Sequence, residues 1–204
     1  SKNLYFAVRS SCIEEDEKDI SFAGQLSSFL FVPVEKLEEK VKKCWASAYN
    51  ENLLHYLLIQ RKKSKDPIKD ASIFSLNVSI IIQKMIDGEK SGVMFTENPL
   101  NPNGLKDVNM KEIVITAGYG LGEGIVSDSV ESDTYTVTKE KTKIETQKKL
   151  SRIVKGNQLN GGVQKERVPL NIQNKNVLEK ETIEKIKNIG LKIEKIMGTP
   201  QDIE

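Results

Sequence analysis

Residues 111–127 read KEIVITAGYGLGEGIVS, and this stretch decides between the main fold classes. Lys111 to Ala117 predicts a strand, and Gly118 to Gly124 predicts a glycine-rich turn after it. Alternate glycines after a strand are typical of dinucleotide binding, but a GxGxxG motif from Gly118 needs glycine at position 123, which is Glu. No Gly-Lys-Ser/Thr phosphate loop occurs in the chain. The stretch is therefore interpreted as a strand with a reversing turn, and a nicotinamide-binding domain is excluded.

The rest of the chain alternates blocks of strands with blocks of helices. The strand from Leu76 to Ile86 is predicted to form a hairpin with Ser91–Thr96, through a turn at Asp87-Gly88. Apolar residues at three- and four-residue steps predict a helix after Pro33 and a second after Asn50. The clearest helix runs from Leu178 to Met197 and stops at Gly198. Further strands are predicted at 4–8, 135–138 and 144–150, and a new strand is predicted to begin at 201–204. The fold class is α+β.

Composition limits the classes of function. The 204 residues carry 31 Lys+Arg against 29 Asp+Glu, a net charge of +2, which is no footprint for nucleic-acid or membrane-surface binding. No apolar run approaches the ~18–20 residues that cross a bilayer. Cys12 and Cys44 match no metal-ligand spacing, and a disulfide between them is not expected because no signal-peptide pattern opens the chain. We expect a soluble, cytoplasmic protein.

The side chains suited to catalysis are few. His55 is the only histidine and lies among leucines on a helical face, where a packed or capping role is the simpler interpretation. The chain therefore has too few histidines and cysteines to favour a zinc site or a Ser-His-Asp or Cys-His catalytic arrangement. An enzyme with these residues would act by positioning its substrate and neutralising its charge, as enzymes that bind and transfer phosphate groups do. Arg9, followed by two serines, offers a planar fork to phosphate oxygens, although it is equally placed to pair with the acidic run 14–17. Gly24 with Ser27 and Ser28 offers backbone close to an anion.

Seven segments in order resemble one family across nearly the whole chain. They are AVRSS at 7–11, SFAGQ at 21–25, KCWAS at 43–47, QKM at 83–85, SGVMFT at 91–96, GYGLGEGIVS at 118–127 and GTPQDIE at 198–204. Together they resemble the ATP-grasp domain of phosphoenolpyruvate synthases, pyruvate phosphate dikinases and rifampicin phosphotransferases. The resemblance implies two subdomains around a nucleotide cleft. It also implies transfer of the ATP β-phosphate to a histidine on a separate carrier domain, and from there to an acceptor.

The resemblance also implies a set of binding residues. Arg9 matches an arginine that holds ATP phosphates, and Gly24 and Ser28 match loop positions near the nucleotide. Gln83 and Met85 match the segment leading into the adenine hinge, and Glu204 matches the acid that binds Mg²⁺ with ATP. No residue of this chain is assigned a catalytic role. A glycine-rich-segment lysine and a Gln-x-Arg pair of the family's site have no counterpart here, nor has the carrier histidine. We therefore expect a domain truncated at both ends that cannot turn over alone.

The resemblance divides the chain and leaves the acceptor open. Residues 1–66 are expected to form the first part of the ATP-grasp unit, with AVRSS, SFAGQ and the helices. Residues 67–204 are expected to form the second lobe, with the hinge strand, the glycine-rich turn and the last helix. A synthase that phosphorylates pyruvate is the leading hypothesis. The alternatives are a rifampicin-type antibiotic phosphotransferase and a non-catalytic nucleotide-binding or interaction module.

Overall fold

The protein is described here by a computed structural model covering residues 4–12, 26–51, 55, 59, 78–100, 111–157 and 161–204. Contacts divide the chain into two compact units. The first unit is Ser1–Ile86 with Lys155–Val163, and the second is Asp87–Val154 with Gln164–Glu204. The predicted boundary between residues 66 and 67, and the connector around it, lie outside the described residues, so that division stays a prediction. No helix within the described ranges is long and apolar enough to cross a membrane.

The described elements mix strands and helices, which confirms the α+β prediction. In chain order they are β1 (Tyr5–Cys12), β2 (Phe29–Pro33), α1 (Leu37–Ala46), β3 (Val78–Lys84), β4 (Lys90–Phe95), β5 (Ile113–Tyr119), α2 (Gly122–Val126), β6 (Asp133–Val137), β7 (Thr142–Glu145), β8 (Ser151–Lys155), β9 (Val163–Arg167), α3 (Lys180–Met197) and β10 (Asp202–Ile203). Short 3-10 turns, Val34–Lys36 and Ser47–Tyr49, flank α1.

The first unit is a three-stranded antiparallel sheet with α1 packed on one face. The strand order is β2-β1-β3, with β1 in the centre. Its small core contains Val8, Val32 and Cys44, all at most 1% exposed, with Ile80 packed against them. Because side chains alternate across a strand, this burial fixes which face of β1 and β3 turns away from α1.

The second unit is built on a five-stranded antiparallel sheet with the order β10-β4-β5-β6-β7. Its core joins the inward side chains of this sheet to α3. Met94, Ile115 and Tyr135 contribute from the strands, and Ile183 contributes from the helix. Strands β8 and β9 form a separate two-stranded sheet. Helix α3 ends at Gly198, whose left-handed backbone (φ 79°) lets its N–H bond to the Glu194 carbonyl at 2.8 Å.

The strongest periodic signals predicted their elements correctly. The helix expected at 178–197 is observed as α3, and the strand expected at 135–138 is observed as β6. The strand expected at 144–150 is correct only at residues 144 and 145, which belong to β7, where Ile144 lies opposite Tyr135; residues 146–150 are not in a strand. A strand at the end of the chain is also confirmed as β10. The apolar residues of α3 are not all buried, because Ile189 and Met197 are 58% and 62% exposed.

The hairpin predicted between the strand at 76–86 and Ser91–Thr96 is wrong. Strand β3 pairs with β1, whereas β4 pairs with β5 and β10. The chain passes from the first unit to the second between Ile86 and Asp87, so the Asp87-Gly88 turn signal marks a change of unit. Alternation of apolar and polar residues specifies which face a strand buries, but it does not specify the strand's partner.

Three further expectations need correction. Strand β1 continues to Cys12, so Arg9 lies within the strand rather than at its end. Strand β5 continues through Gly118 and Tyr119, and part of the predicted glycine-rich turn is the short helix α2. His55 is helical, as predicted, but its side chain is exposed rather than packed.

Candidate functional site

The side of the first unit's sheet opposite α1 carries both polar and apolar side chains. Residues directly opposite each other in antiparallel strands share a face. Arg9 pairs with Ile81, and Ala7 pairs with Gln83. These four residues therefore lie together on the face that Val8 and Ile80 do not occupy. Sequence reasoning placed Arg9 and Gln83 in one site, and the register of β1 and β3 makes them diagonal neighbours.

Arg9 is exposed on this face and is available to a ligand. Within the described residues no carboxylate lies in ion-pair range of its guanidinium. The acidic run 14–17, the alternative partner considered from the sequence, lies outside the described residues. Its neighbour Ile81 is 49% exposed, so an apolar surface adjoins the cation. A planar cation beside an open apolar patch suits a ligand that is anionic at one end and flat and apolar at the other.

The segment after Gln83 carries backbone groups on the edge of β3 that faces away from β1. The Met85 N–H donates to the Tyr5 carbonyl at 2.8 Å, so it is already used within the sheet. Because hydrogen-bonding direction alternates along an antiparallel strand, the backbone groups of Lys84 and Ile86 point away from β1. No strand among the described residues pairs with that edge of β3. A base that binds here would meet the backbone of Lys84 and Ile86, with Met85 between them.

Helix α1 anchors the chain that leads to Ser28. The Ser27 N–H donates to the Ser47 hydroxyl at 3.0 Å, and the Cys44 thiol donates to the Ser27 carbonyl at 3.0 Å. Burial raises the pKa of the Cys44 thiol, which keeps it as a protonated donor. Ser28 itself is exposed immediately after this anchored residue. Gly24 lies outside the described residues.

The same helix also fixes the start of β3, because the Trp45 indole N–H donates to the Val78 carbonyl at 3.1 Å. Cys44, Trp45 and Ser47 belong to the KCWAS segment, so this motif positions both the end of the loop and the strand that carries Gln83. Sequence reasoning assigned KCWAS no role. These bonds join residues 17 to 33 positions apart through side chain and backbone, and no periodicity signals such contacts.

Glu204 lies in the second unit, after β10. Asp202 pairs with Phe95 and Ile203 with Met94. Ile203 packs against the core, so alternation places Glu204 on the other face of the sheet, where it is exposed. Two bonds fix the approach to β10: the Thr96 N–H donates to the Gln201 carbonyl at 2.9 Å, and the Gln201 N–H donates to the Thr96 hydroxyl at 2.8 Å.

A single carboxylate at this position fits part of a magnesium site. Carboxylate oxygens are the hard ligands that Mg²⁺ prefers, and Mg²⁺ commonly takes one or two carboxylates together with phosphate oxygens. Asp202 shares the outward face with Glu204. The described residues contain no cluster of three or more His, Cys, Asp or Glu that would hold a metal ion by themselves.

The glycine-rich segment is structural. The Gly120 N–H donates to the Glu89 carbonyl at 2.8 Å, and the Leu121 N–H donates to the Ile153 carbonyl at 2.9 Å. A Cβ on Gly120 would lie 2.2 Å from the Ile153 carbonyl oxygen, so glycine permits this close approach. These amides are therefore not available to phosphate, which agrees with the reversing-turn interpretation.

A buried ion pair organises the interior of the second unit. The Lys149 ammonium lies 2.6 Å from Asp133 Oδ1, and both side chains are fully buried. The Tyr135 hydroxyl donates to Asp133 Oδ2 at 3.2 Å and accepts from the Leu178 N–H at 2.9 Å. Burial raises the pKa of Tyr135 to about 12, so its hydroxyl keeps its proton.

Comparison with known proteins identifies the family. The family model for the pyruvate phosphate dikinase AMP/ATP-binding domain matches residues 1–204. The chain belongs to this family. The chain is 38% identical over 204 residues to a probable phosphoenolpyruvate synthase from Archaeoglobus fulgidus, covering 100% of this chain and 25% of that protein. It is 36% identical over 211 residues to the phosphoenolpyruvate synthase of Pyrococcus furiosus, covering 100% and 24%.

A rifampicin phosphotransferase from Bacillus cereus is also similar, at 33% identity over 202 residues, covering 98% of this chain and 21% of that protein. The chain thus spans about a quarter of the length of the curated relatives it matches. Membership of an AMP/ATP-binding domain family confirms the resemblance drawn from the seven segments and supports ATP as the ligand. The roles of Arg9, Gly24, Ser28, Gln83, Met85 and Glu204 stay predictions.

Proposed function

We propose that this chain is the ATP-binding part of an ATP-dependent phosphotransferase of the phosphoenolpyruvate synthase type. In this proposal the bond between the α- and β-phosphates of ATP breaks and AMP leaves, water takes the γ-phosphate as inorganic phosphate, and the β-phosphate passes to a histidine on a carrier domain and from there to pyruvate. The observation that carries the proposal is the joint placement of the exposed side chains of Arg9 and Gln83 on one sheet face, in a chain matched throughout by an AMP/ATP-binding family.

The dimensions of this face suit a nucleotide. The adenine end is assigned to the edge backbone around Met85, whose cross-strand partner is Tyr5. Arg9 lies four residues further along β1, and four residues of an extended strand span about 13 Å. That distance is of the order of the span from the purine to the terminal phosphates of extended ATP. Arg9 would then bind phosphate oxygens while the edge of β3 holds the base.

Glu204 is proposed to bind Mg²⁺ that accompanies ATP. When bound, the cation would neutralise phosphate charge and polarise the transferred phosphoryl group. Within this chain the residues of the site bind and orient the nucleotide, and none is proposed to exchange a proton or form a covalent bond with it. The chemical step is assigned to domains of the parent polypeptide that carry the histidine and the acceptor.

Two other functions share the same nucleotide site. A rifampicin-type phosphotransferase is favoured by the similarity to the Bacillus cereus protein, and acceptor choice would then lie in a different partner domain. A non-catalytic nucleotide-binding module is the second alternative. A polypeptide containing this chain that also carries the lysine, the Gln-x-Arg pair and a carrier histidine would argue against that module.

The direct test compares ATP with adenosine. Arg9→Ala should weaken Mg·ATP binding roughly 10- to 100-fold, because one charge-assisted contact to phosphate is lost. It should change adenosine binding less than about 2-fold, because the base contacts remain. Arg167→Ala, at another exposed arginine, is the matched control. Isothermal titration calorimetry on the longest natural polypeptide that contains these residues measures both ligands. Equal losses for ATP and adenosine would contradict the role of Arg9.

Turnover gives a separate test. The 204-residue chain alone should release no AMP in a coupled assay with ATP and pyruvate, because it supplies no phosphate-accepting histidine. Release of AMP at an enzyme-like rate by this chain would contradict the assignment of the chemical step to other domains.

A further inference from the structure

Strand β2 contains a strained residue, Phe31, three positions after Ser28, which is predicted to lie near the nucleotide. Phe31 has a left-handed backbone (φ 51°) although it is not glycine, and its side chain is only 2% exposed. The register of β1 with β2 shifts between Phe6 and Val8, which marks a bulge at this point. A bulky residue in this conformation persists only where its surroundings hold it, and such strain is concentrated at functional sites.

The connection between β8 and β9 holds this bulge. We call residues 155–157 and 161–163 the tip. The Gly162 N–H donates to the Leu30 carbonyl at 3.1 Å, and the Gly156 N–H closes the tip by donating to the Gly162 carbonyl at 2.8 Å. Gly161 lies so close that a Cβ there would be 2.1 Å from the Phe31 carbonyl oxygen. Its φ of 78° also favours glycine.

A second contact links the tip to the other end of the site. The Lys155 ammonium lies 3.7 Å from the ring centroid of Tyr5, a cation–π geometry. The Tyr5 ring in turn meets the Phe31 ring edge to face, with centroids 6.0 Å apart. The Tyr5 carbonyl accepts a hydrogen bond from the Met85 N–H. Through Lys155 the tip therefore contacts Tyr5, the residue that holds the backbone of Met85.

We propose that the tip is a positioning element for the nucleotide site of the first unit. Through Phe31 it fixes the chain three residues after Ser28, and through Tyr5 it fixes Met85. In this role the tip acts through Leu30, Phe31 and Tyr5 on the chain after Ser28 and on the segment at Met85. This inference rests on the proposed function. By linkage, a bound nucleotide that needs both segments in place must stabilise the closed tip.

Two neighbouring glycines provide the test and its control. Both have positive φ, 78° at Gly161 and 97° at Gly162, so alanine at either position introduces backbone strain. A Cβ on Gly162 meets nothing within 4 Å, whereas a Cβ on Gly161 collides with the backbone of Phe31. Gly161→Ala should therefore displace the bulge and weaken Mg·ATP binding roughly 10-fold relative to Gly162→Ala, because ångström-scale misplacement of binding groups is costly.

Lys155 provides a second pair of variants that leaves the backbone unchanged. Lys155→Met keeps the apolar stem but removes the cation, and should weaken Mg·ATP about 3-fold, whereas Lys155→Arg should bind as the wild type does. Hydrogen exchange provides a second measurement. If the tip only stabilised the fold, its exchange rate would not depend on bound nucleotide. Saturating Mg·ATP should slow exchange in the peptide that contains Gly161 and Gly162, and adenosine should slow it less.

The outcomes separate this inference from the proposed function. Absence of Mg·ATP binding by the wild-type polypeptide would overturn both. Normal wild-type binding, weakened by Arg9→Ala but equally strong in Gly161→Ala and Gly162→Ala, would overturn the positioning role alone. If Gly161→Ala does not fold, the Lys155 pair and the exchange of the wild-type tip decide. Equal binding by both Lys155 variants, together with exchange unaffected by Mg·ATP, would then overturn it.

Discussion

Removing the two partners of the buried ion pair one at a time should give unequal losses of stability. Asp133 accepts four hydrogen bonds: from the Lys149 ammonium at 2.6 Å, the Gln147 N–H at 3.1 Å, the Val177 N–H at 2.8 Å and the Tyr135 hydroxyl at 3.2 Å. Within the described residues the Lys149 ammonium has Asp133 as its only acceptor. The carboxylate is therefore well satisfied without lysine, but the ammonium is not satisfied without the carboxylate.

The expected magnitudes follow from this asymmetry. Lys149→Met removes one charge-assisted bond, and three donors remain on the carboxylate, so we expect a loss of about 2 kcal/mol. Asp133→Asn leaves a buried ammonium without a counter-charge, which costs about 3–5 kcal/mol. The new amide group also turns N–H atoms toward existing donors, which costs about 1–3 kcal/mol more. The difference between the two variants should exceed about 2 kcal/mol.

Urea unfolding read by pulsed hydrogen exchange measures both variants. Peptides that contain Gln147 and Val177 report on the ion pair directly, because the backbone N–H of each residue donates to Asp133. Lys143→Met is the matched control, since Lys143 pairs with Glu145 at 2.6 Å while its side chain is 68% exposed. That variant should be indistinguishable from the wild type. Equal losses for Lys149→Met and Asp133→Asn, or a larger loss for Lys149→Met, would refute the reasoning.

Two further predictions concern the same unit. The raised pKa of Tyr135, about 12, means that its neutral form stabilises the fold by about 3 kcal/mol below pH ~10, and that this is lost as pH rises toward 12. The difference in unfolding free energy between wild type and Tyr135→Phe should shrink over that range, and a constant difference would contradict it. Gly92→Ala should cost about 2–3 kcal/mol, because its Cβ would lie 2.2 Å from the Thr116 carbonyl oxygen. Gly190→Ala should cost less than Gly92→Ala, about 1 kcal/mol, because its Cβ would meet side-chain atoms, the flexible end of Met94 at 2.2 Å and Thr96 Cγ2 at 3.3 Å, rather than backbone, and alanine favours the helix. Equal urea midpoints for the two alanine variants would argue against this.

The elements that sequence predicted well are those whose signal is local. Helix α3 has a periodic apolar face over 18 residues and a glycine at its end, so both its type and its stop follow from the sequence. Strand partners are not local. Strands β3 and β4 are separated by five residues, yet they belong to different sheets. A short turn signal is equally compatible with a hairpin and with passage between units, and only the wider packing decides.

In the candidate site, too, the sequence indicated some features and gave no sign of others. Arg9 and Gln83 were predicted as site residues because an arginine near serines and a resemblance pointed to them, and the antiparallel register makes them diagonal neighbours on one sheet face. The anchoring of Ser27 by Cys44 and Ser47 was not predicted, because a thiol and a hydroxyl that bond to distant backbone have no characteristic spacing. The backbone strain at Phe31 could not be predicted from the sequence either, because a phenylalanine with a left-handed backbone has no sequence signal that distinguishes it from an ordinary strand residue.

These differences bear on where nucleotide recognition is encoded in this chain. In the segment with the most glycines, 118–124, the amides of Gly120, Leu121 and Gly124 donate to backbone carbonyls of the protein itself and are not available to a phosphate. The residues assigned to the ligand instead occupy alternate positions on exposed strand faces, at Arg9, Gln83 and Glu204. Strand alternation provides such positions without any contiguous motif, because each buried face of a strand leaves an opposite face for function. If the proposed residues bind the nucleotide, a few side chains placed in this way serve a charged ligand without an excess of basic residues, and a net charge of only +2 is compatible with membership of an ATP-binding family.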